Sequence, residues 1–427
     1  MHRAILAAAL ALLATPAFAD AFVYSGTLGK AGIVVEFAAD PAAGGDVAGR
    51  YFYTSKGIDI PLDEAKATNG KLALDEQAPC TRDTCTRDTT DYVVKGIRYG
   101  AKWELEPNRD GKSLSGKWTA NDRSQPIKLS LVGTRPLPDD ITTPLGLYDI
   151  TDRMTYGADP VTENISPYDY LRMQTKLVEA GPVEIDGSSY RYVTDPRTRF
   201  QYPRIVSLAG GADPAPGNAY LEAQHWEMNE DALSCESRQY GGLGWDDMIG
   251  YAAGTLGGYP DETVEVIDLT PTLLSWTESG SLDCGGPHPW NHHEFRNLDL
   301  KTGAKLDLSR IFKGWVPRYG DDVIDIDDAR THPDDFTWGP DDSLVKLVMS
   351  HLAETDFDLD DADCGYADLV RNNLAIAFKP GDRVLFSLDG LDNAIEACGG
   401  DIWETSLANI QDMLAPTARD YFPSLAN

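Results

Sequence analysis

Short-period alternation of apolar and polar residues dominates the first part of the chain. It runs through the segments FVYSGTLG, GIVVEF, VAGRYFYT, IDIPL, KLALDE, AKWELE, SLSGKW and PIKLSLV. A period of two is typical of half-buried β-strands, and clusters of Gly, Asn and Asp separate these segments. Seven or eight consecutive short strands predict a small all-β antiparallel barrel or sandwich over residues 20–133. Gly49 and Gly116, close to aromatic residues, are typical of a sheet that bends.

The pattern changes after residue 133. The segment TRPLPDDITTP has little to bury, and we interpret residues 134–146 as a linker. Residues 147–427 predict an α+β domain, an antiparallel sheet with packed helices. We expect strands within 181–208 and 261–312, with KTG at 301–303 as a tight turn. Residues 217–238 have helical spacing. The predicted buried face of this helix contains Leu221, Trp226, Ala232 and Leu233.

The last part of the chain predicts two further helices around two strands. Residues 341–353 have apolar residues on one helical face, and Asp341 or Asp342 is in position to cap the N-terminus. LAIAF and RVLFSL are predicted strands. A final helix is expected to begin at Thr405 or Ser406 and to bury Leu407, Ile410 and Leu414.

The N-terminus predicts export. Residues 1–19 have a basic start, an apolar run and an Ala-Phe-Ala end, as a secretory signal peptide does, with cleavage expected before Asp20. No later segment is apolar enough to predict a membrane span. We therefore expect a periplasmic or secreted protein that is soluble after cleavage.

The cysteine count agrees with that expectation. The chain has six cysteines, and an even number in an exported protein favours disulfides. Cys80 and Cys85 are expected to close a small loop. Three pairings of the other four are possible, and we favour Cys235–Cys284 with Cys364–Cys398.

The net charge narrows the range of partners. At −31, the chain repels nucleic acid and anionic lipid, so neither is a predicted partner. The same charge attracts basic proteins at long range, although salt screens the attraction.

One stretch concentrates candidate chemistry: CGGPHPWNHHEF, residues 284–295. The candidate binding residues are His288, Trp290, His292 and His293. They include three of the seven histidines in the chain. The glycines and prolines around His288 predict a turn, so we interpret the stretch as a hairpin. The alternative is a zinc site in which a loop gathers His288, His292 and His293.

A second candidate is the acidic stretch TDFDLDDADC. Asp356, Asp358 and Asp360 alternate as calcium ligands can, but the EF-hand pattern is not met. A solvated acidic loop is the simpler interpretation. No cofactor is predicted, and zinc and calcium stay as alternatives.

The histidine stretch also belongs to a longer pattern. GGPHPWNHHEFRNLDLKTGAKLDLSRIF resembles a Gly-Gly-x-His-Pro…Asp-Leu-Lys-Thr-Gly motif. That motif occurs in an exported domain of unknown function, found at the C-terminus of the anti-sigma factor RsiV and in the non-catalytic region of the peptidoglycan deacetylase PdaC. The resemblance spans about residues 180–415 and includes the closing segment VLFSLDGLDNAIEACGGDIWETSLANIQDML. It implies a binding module at the cell wall, with a lysozyme-like protein as partner.

No sequence motif predicts catalysis. The chain lacks Gly-x-Ser-x-Gly, His-Glu-x-x-His, a P-loop and a dinucleotide fingerprint. We therefore predict an exported, non-catalytic cell-envelope binding protein, with a lysozyme-like muramidase or peptidoglycan as its partner. The alternative function is a metal-dependent envelope hydrolase that uses the His288–His293 loop.

Overall fold

The computed structural model forms two compact units. It describes residues 20–426 except for 44–45, 67–70, 81–83, 88–93, 110, 138–160, 243–261, 283–289, 321, 333–334, 356, 358–363 and 392. The first unit holds the described residues from 20 to 174 and 240–242. The second holds those from 175 to 239 and from 262 onward. The structure is mostly β and broadly α+β.

Ten strands belong to the first unit. They are β1 (Asp20–Leu28), β2 (Ala31–Phe37), β3 (Asp46–Tyr53), β4 (Ile60–Lys66), β5 (Leu72–Gln77), β6 (Thr86–Arg87), β7 (Val94–Lys95), β8 (Tyr99–Pro107), β9 (Ser113–Ala120) and β10 (Arg123–Pro136). Among the described residues, eight of them close into an antiparallel barrel in the order β1-β10-β9-β8-β5-β4-β3-β2. The predicted barrel is confirmed, and its last strand continues three residues into the predicted linker.

Alternating side chains fill the barrel. Tyr51, Trp103, Leu62 and Ile33 are all fully buried in one apolar cluster. The side chain of Glu76 lies among these aromatic rings and accepts hydrogen bonds from the indole nitrogens of Trp103 and Trp118, both at 2.7 Å. These bonds satisfy the indole N–H groups of the buried Trp103 and the half-buried Trp118.

One glycine shows why the curved sheet needs a residue without a side chain. A Cβ at Gly116 would lie 1.8 Å from the carbonyl oxygen of Glu104 on β8. Any larger residue would push the two strands apart, so the sequence pattern Gly-x-Trp marks a close strand approach.

A short helix, α1 (Pro167–Met173), packs on the barrel through buried charges. Pro167 opens it, as proline commonly does at the first helical position. We use the term charge cluster for Glu36, Arg50, Asp59, Arg135, Asp169 and Arg172. The side chain of Arg50 is fully buried and contacts Glu36 at 2.9 Å, Asp59 at 3.0 Å and Asp169 at 3.4 Å. Although burial opposes it, the neighbouring Arg135 and Arg50 lower the pKa of Glu36.

The second unit has four small sheets. Its strands are β11 (Val178–Glu179), β12 (Val183–Ile185), β13 (Ser188–Thr194), β14 (Gln201–Ser207), β15 (Thr263–Leu269), β16 (Leu273–Leu282), β17 (Trp290–Asp299), β18 (Ala304–Lys305), β19 (Trp315–Tyr319), β20 (Asp322–Val323), β21 (Thr337–Pro340), β22 (Leu374–Lys379), β23 (Arg383–Leu388) and β24 (Gly400–Ser406). The β16–β17 pair is antiparallel from Leu273–Asp299 to Leu282–Trp290, as the hairpin interpretation expects.

The helices of the second unit are α2 (Ala215–Tyr240, whose last residue belongs to the first unit), α3 (Ile326–Thr331), α4 (Asp342–Leu352) and α5 (Tyr366–Asn373). Asp341 caps α4 by accepting a 2.9 Å hydrogen bond from the backbone N–H of Leu344, as predicted. The buried stripe of α2 differs from the prediction: Trp226 is half-buried, whereas His225 and Asn229 are buried.

The predicted final helix is wrong in type. Strand β24 runs through Ser406, and residues Leu407–Met413 form an irregular 3-10 segment with non-helical angles at Ile410. Leu407, Ile410 and Leu414 are nevertheless buried, as the apolar spacing requires. A 3-10 turn brings residues three apart to one side, so the spacing alone does not separate the two helix types.

Two predicted disulfides are present, Cys80–Cys85 and Cys364–Cys398. Cys235 is also disulfide-bonded, and its predicted partner Cys284 lies outside the described residues. In the described part of the chain, no helix has the length and apolar character needed to span a membrane.

Candidate functional site: an acidic cleft

A cleft of about 380 Å³ opens in the second unit. Its walls come from the start of β17, the end of β23 with the turn that follows, and the start of β24. Three of its described lining residues are acids: Asp389, Glu396 and Asp401. The other polar side chains are those of Asn291, His292, His293 and Ser387. We call this site the acidic cleft.

Strand geometry explains how β17 presents its histidines. Successive side chains on a strand point to opposite faces, so His292 and His293 diverge although they are adjacent. His293 shares its face with Phe295, and the two rings make an edge contact at 5.1 Å. His292 instead contacts Glu262, with Nε2 and Oε1 3.1 Å apart. Each histidine therefore has its own carboxylate partner.

Asp389 is the best-buried acid of the cleft, with 7 % of its side chain exposed. Its Oδ1 accepts a 3.1 Å hydrogen bond from the hydroxyl of Ser387 and lies 3.2 Å from Nδ1 of His293. Its Oδ2 is buried and finds no hydrogen-bond partner within the described residues. A buried acceptor in this state costs about 1–3 kcal/mol, and a donor that reached Oδ2 would recover part of that free energy.

Both histidines are biased toward the protonated form. The hydrogen bond to Asp389 raises the pKa of His293, and Asp401 and Glu294 add to the effect. The hydrogen bond to Glu262 raises the pKa of His292, while burial raises the pKa of Glu262. The cleft thus contains two histidines that bind a proton more readily than a free imidazole does.

Two glycines line the cleft where β24 begins. Gly400 has a φ of 138°, in a region that side chains disfavour. A Cβ at Gly399 would lie 3.0 Å from the carbonyl oxygen of Leu388. A Cβ at Gly400 would lie 3.3 Å from the ring of Phe357, so the Gly-Gly pair lets the backbone pass close to β23 and to Phe357.

The order of the polar groups does not match a hydrolytic triad. In a triad the histidine lies between the nucleophile and the acid, and takes the proton of the nucleophile. Here Asp389 lies between Ser387 and His293, and Ser387 is fully buried. Ser387 and His293 orient the carboxylate, which leaves an acceptor-rich surface suited to binding a donor.

The structure describes only some of the sequence-predicted site residues. His292 and His293 lie on β17 rather than in a loop, while His288 lies outside the described residues, as does the side chain of Trp290. Asp356, Asp358 and Asp360, the calcium candidates, also lie outside them. Within the residues that the structure describes, no group of three or more His, Cys, Asp or Glu side chains is arranged to hold a metal ion.

Sequence reasoning missed the acids of the cleft. Asp389 stands in SLDG and Asp401 in GGDIW, and both segments resemble ordinary turns. The available signal was their place in the closing segment of the Gly-Gly-x-His-Pro family pattern. No protein-family model and no curated protein matches the chain, so the resemblance to the RsiV and PdaC domain stays a prediction.

Proposed function

We propose that this is an exported, non-catalytic binding protein of the cell envelope, with a basic, lysozyme-like protein as its partner. The observation that supports this most directly is the acidic cleft, which three acids line and where Oδ2 of the buried Asp389 has no hydrogen-bond partner within the described residues. A basic protein supplies such donors. The signal-like N-terminus and the disulfides support an exported location.

Electrostatics supports the same class of partner. The net charge of −31 steers a cationic protein toward the molecule, and carboxylates in a concave site focus that field. Long-range attraction raises the association rate, whereas affinity depends on buried contacts. A specific complex therefore needs the cleft as well as the charge.

The hydrolase alternative receives no supporting observation from the described residues. His292 and His293 point to opposite faces of β17 and contact different acids. They are therefore not two ligands of one ion in this arrangement, and His288 lies outside the described part of the chain.

Calorimetry with a basic lysozyme tests the proposal. We expect binding at low salt that persists at high salt, together with inhibition of the lysozyme. The variant Asp401→Asn should weaken binding at both salt concentrations. Asp412→Asn removes a carboxylate that is also exposed but does not line the cleft, and it is the control. If binding disappears at high salt, the interaction depends only on non-specific electrostatic attraction, and the proposal of a specific complex is refuted.

A further inference from the structure

We propose that the acidic cleft is a pocket for one arginine side chain, whose guanidinium takes the place of His293 on the Asp389 carboxylate. The proposal deepens the proposed function, because it relies on that function for the source of the arginine, a basic partner protein. The arginine binds with two parallel N–H donors, one to each carboxylate oxygen.

The Asp389 carboxylate has the features of an incomplete ion-pair site. Its side chain is more than nine-tenths buried, and Oδ1 is held by Ser387 and His293. Oδ2 has no partner within the described residues. Since a guanidinium presents a planar fork of donors that matches a carboxylate, it satisfies both oxygens at once. A lysine ammonium is a point charge and does not reproduce this geometry.

His293 is the group that an entering arginine can displace from the Asp389 carboxylate. Its side chain is 50 % exposed, and its described contacts are the 3.2 Å contact to Asp389 and the edge contact to Phe295. Ser387, by contrast, is fully buried and keeps the carboxylate in place. Replacing His293 therefore opens Oδ1 while the orientation of Asp389 is retained.

The surroundings favour an organic cation over a metal ion. Glu396 and Asp401 are exposed at the cleft, where they add negative charge around the entering side chain. Among the described residues no three acids or histidines converge closely enough to ligate an ion. The volume of about 380 Å³ lies in the range of small-ligand pockets, so a side chain fits.

Competition with His293 makes the binding pH-dependent. The acids whose charge acts on His293 are Asp389 after β23, Asp401 on β24 and Glu294 on β17, and Glu396 lines the same cleft. Below its raised pKa, His293 is cationic and competes for Asp389. Above that pKa His293 is neutral, so displacing it from Asp389 costs less free energy, whereas the guanidinium stays charged. Affinity should therefore rise with pH, and binding at intermediate pH should release a proton.

The first test titrates the full mature protein with Nα-acetyl-arginine methylamide and with the lysine counterpart, by calorimetry. We expect the arginine probe to bind about tenfold more tightly than the lysine probe. Asp389→Asn should weaken the arginine probe by at least about tenfold, while Asp412→Asn should leave it unchanged. Equal affinity for both probes, or an Asp389→Asn protein that is folded and binds normally, would overturn the proposal.

The second test uses His293→Ala and does not depend on the folding of the Asp389 variant. We expect tighter binding of the arginine probe below the His293 pKa, a flat pH profile, and loss of the proton release measured in two buffers. Unchanged pH dependence, or weaker binding, would show that His293 supports the site instead of competing for it, and would refute the displacement.

The two proposals fail in different ways. If the arginine probe binds as expected and lysozyme does not, the pocket stands and the lysozyme-like partner is wrong. If lysozyme binds at high salt and the arginine probe does not, the binding function stands and the arginine pocket is wrong.

Discussion

The charge cluster of the barrel and the acidic cleft of the second unit both contain three acids, but they differ in burial and in charge balance. The cluster combines three acids with three arginines, all fully buried or nearly so. The cleft combines Asp389, Glu396 and Asp401 with His293, which is half exposed. The buried acids of the cluster are paired with arginines inside the fold, whereas the acids of the cleft outnumber its cations and two of them are exposed. The difference teaches that burial and charge balance, more than residue type, separate a structural site from a binding site.

The largest expected effect is at Arg50. Arg50→Met would leave Glu36, Asp59 and Asp169 buried without the guanidinium that joins them, and we expect a loss of about 3–5 kcal/mol in the free energy of unfolding. Urea denaturation measures it. Lys117→Met, which breaks the exposed pair with Glu104, is the control and should cost under about 1 kcal/mol. Similar costs for the two variants would contradict the assignment of the cluster as structural.

The next effect concerns His225, a buried histidine that lies beside Arg204. Burial first, and then Arg204, lower the pKa of His225 from 6.5 to about 4. A lowered histidine pKa means that the unfolded chain takes up the proton first, so stability falls as the pH drops from about 6.5 to about 4. The loss should reach about 3 kcal/mol.

His225→Gln isolates this contribution. The amide keeps a donor for the carbonyl of Phe200 and an acceptor for Arg204, but it does not titrate. Denaturation of both proteins between pH 4 and pH 7 should give a smaller pH slope for the variant. Parallel profiles would show that His225 already binds a proton when folded.

A smaller change in stability is expected for a substitution of Asp389. This variant gives the clearest test of whether the cleft and the charge cluster have different roles. Because Oδ2 has no partner among the described residues, Asp389→Asn removes a poorly satisfied buried charge. We expect the free energy of unfolding to change by no more than about 1 kcal/mol while the arginine probe is lost. Thermal and urea denaturation measure the first quantity. A loss as large as that of Arg50→Met would place Asp389 with the structural charges.

The smallest effect is at His293. The hydrogen bond to Asp389 raises its pKa, so its stabilising contribution is complete below the unfolded value near 6.5 and is lost as pH rises through the folded pKa. Because the side chain is half exposed, His293→Asn should cost under about 1 kcal/mol at pH 5 and less at pH 8. A cost that increases with pH would reverse the sign and contradict the ion pair.

Local pattern predicted much of the fold. The barrel strands, the Asp341 cap and the strands β22 and β23 follow from apolar spacing and capping chemistry, which act over a few residues. The sequence did not predict helix α1 or the burial of His225. Helix α1 buries Asp169 and Arg172, and the hydropathy pattern predicts that charged residues and histidine are exposed. Their burial depends on partners from distant segments.

The candidate site was only half predictable, for the same reason. His292 and His293 were singled out by composition, but their separation onto two faces required knowing that β17 begins at Trp290. Asp389 was missed because its partner His293 lies 96 positions away in the sequence. A single acid in a turn sequence carries no sign that a fold will bury it.

The sequence by itself determined the alternation that makes strands, the helical face of α4, the acidic character of the chain and the pairing of Cys80 with Cys85, whereas the pairing of Cys364 with Cys398 was one of several that the sequence allowed. Only the tertiary structure decided which charges are neutralised and which are left open. The physical reason is that local periodicity is encoded by neighbouring residues, whereas desolvation and charge pairing depend on which distant segments meet.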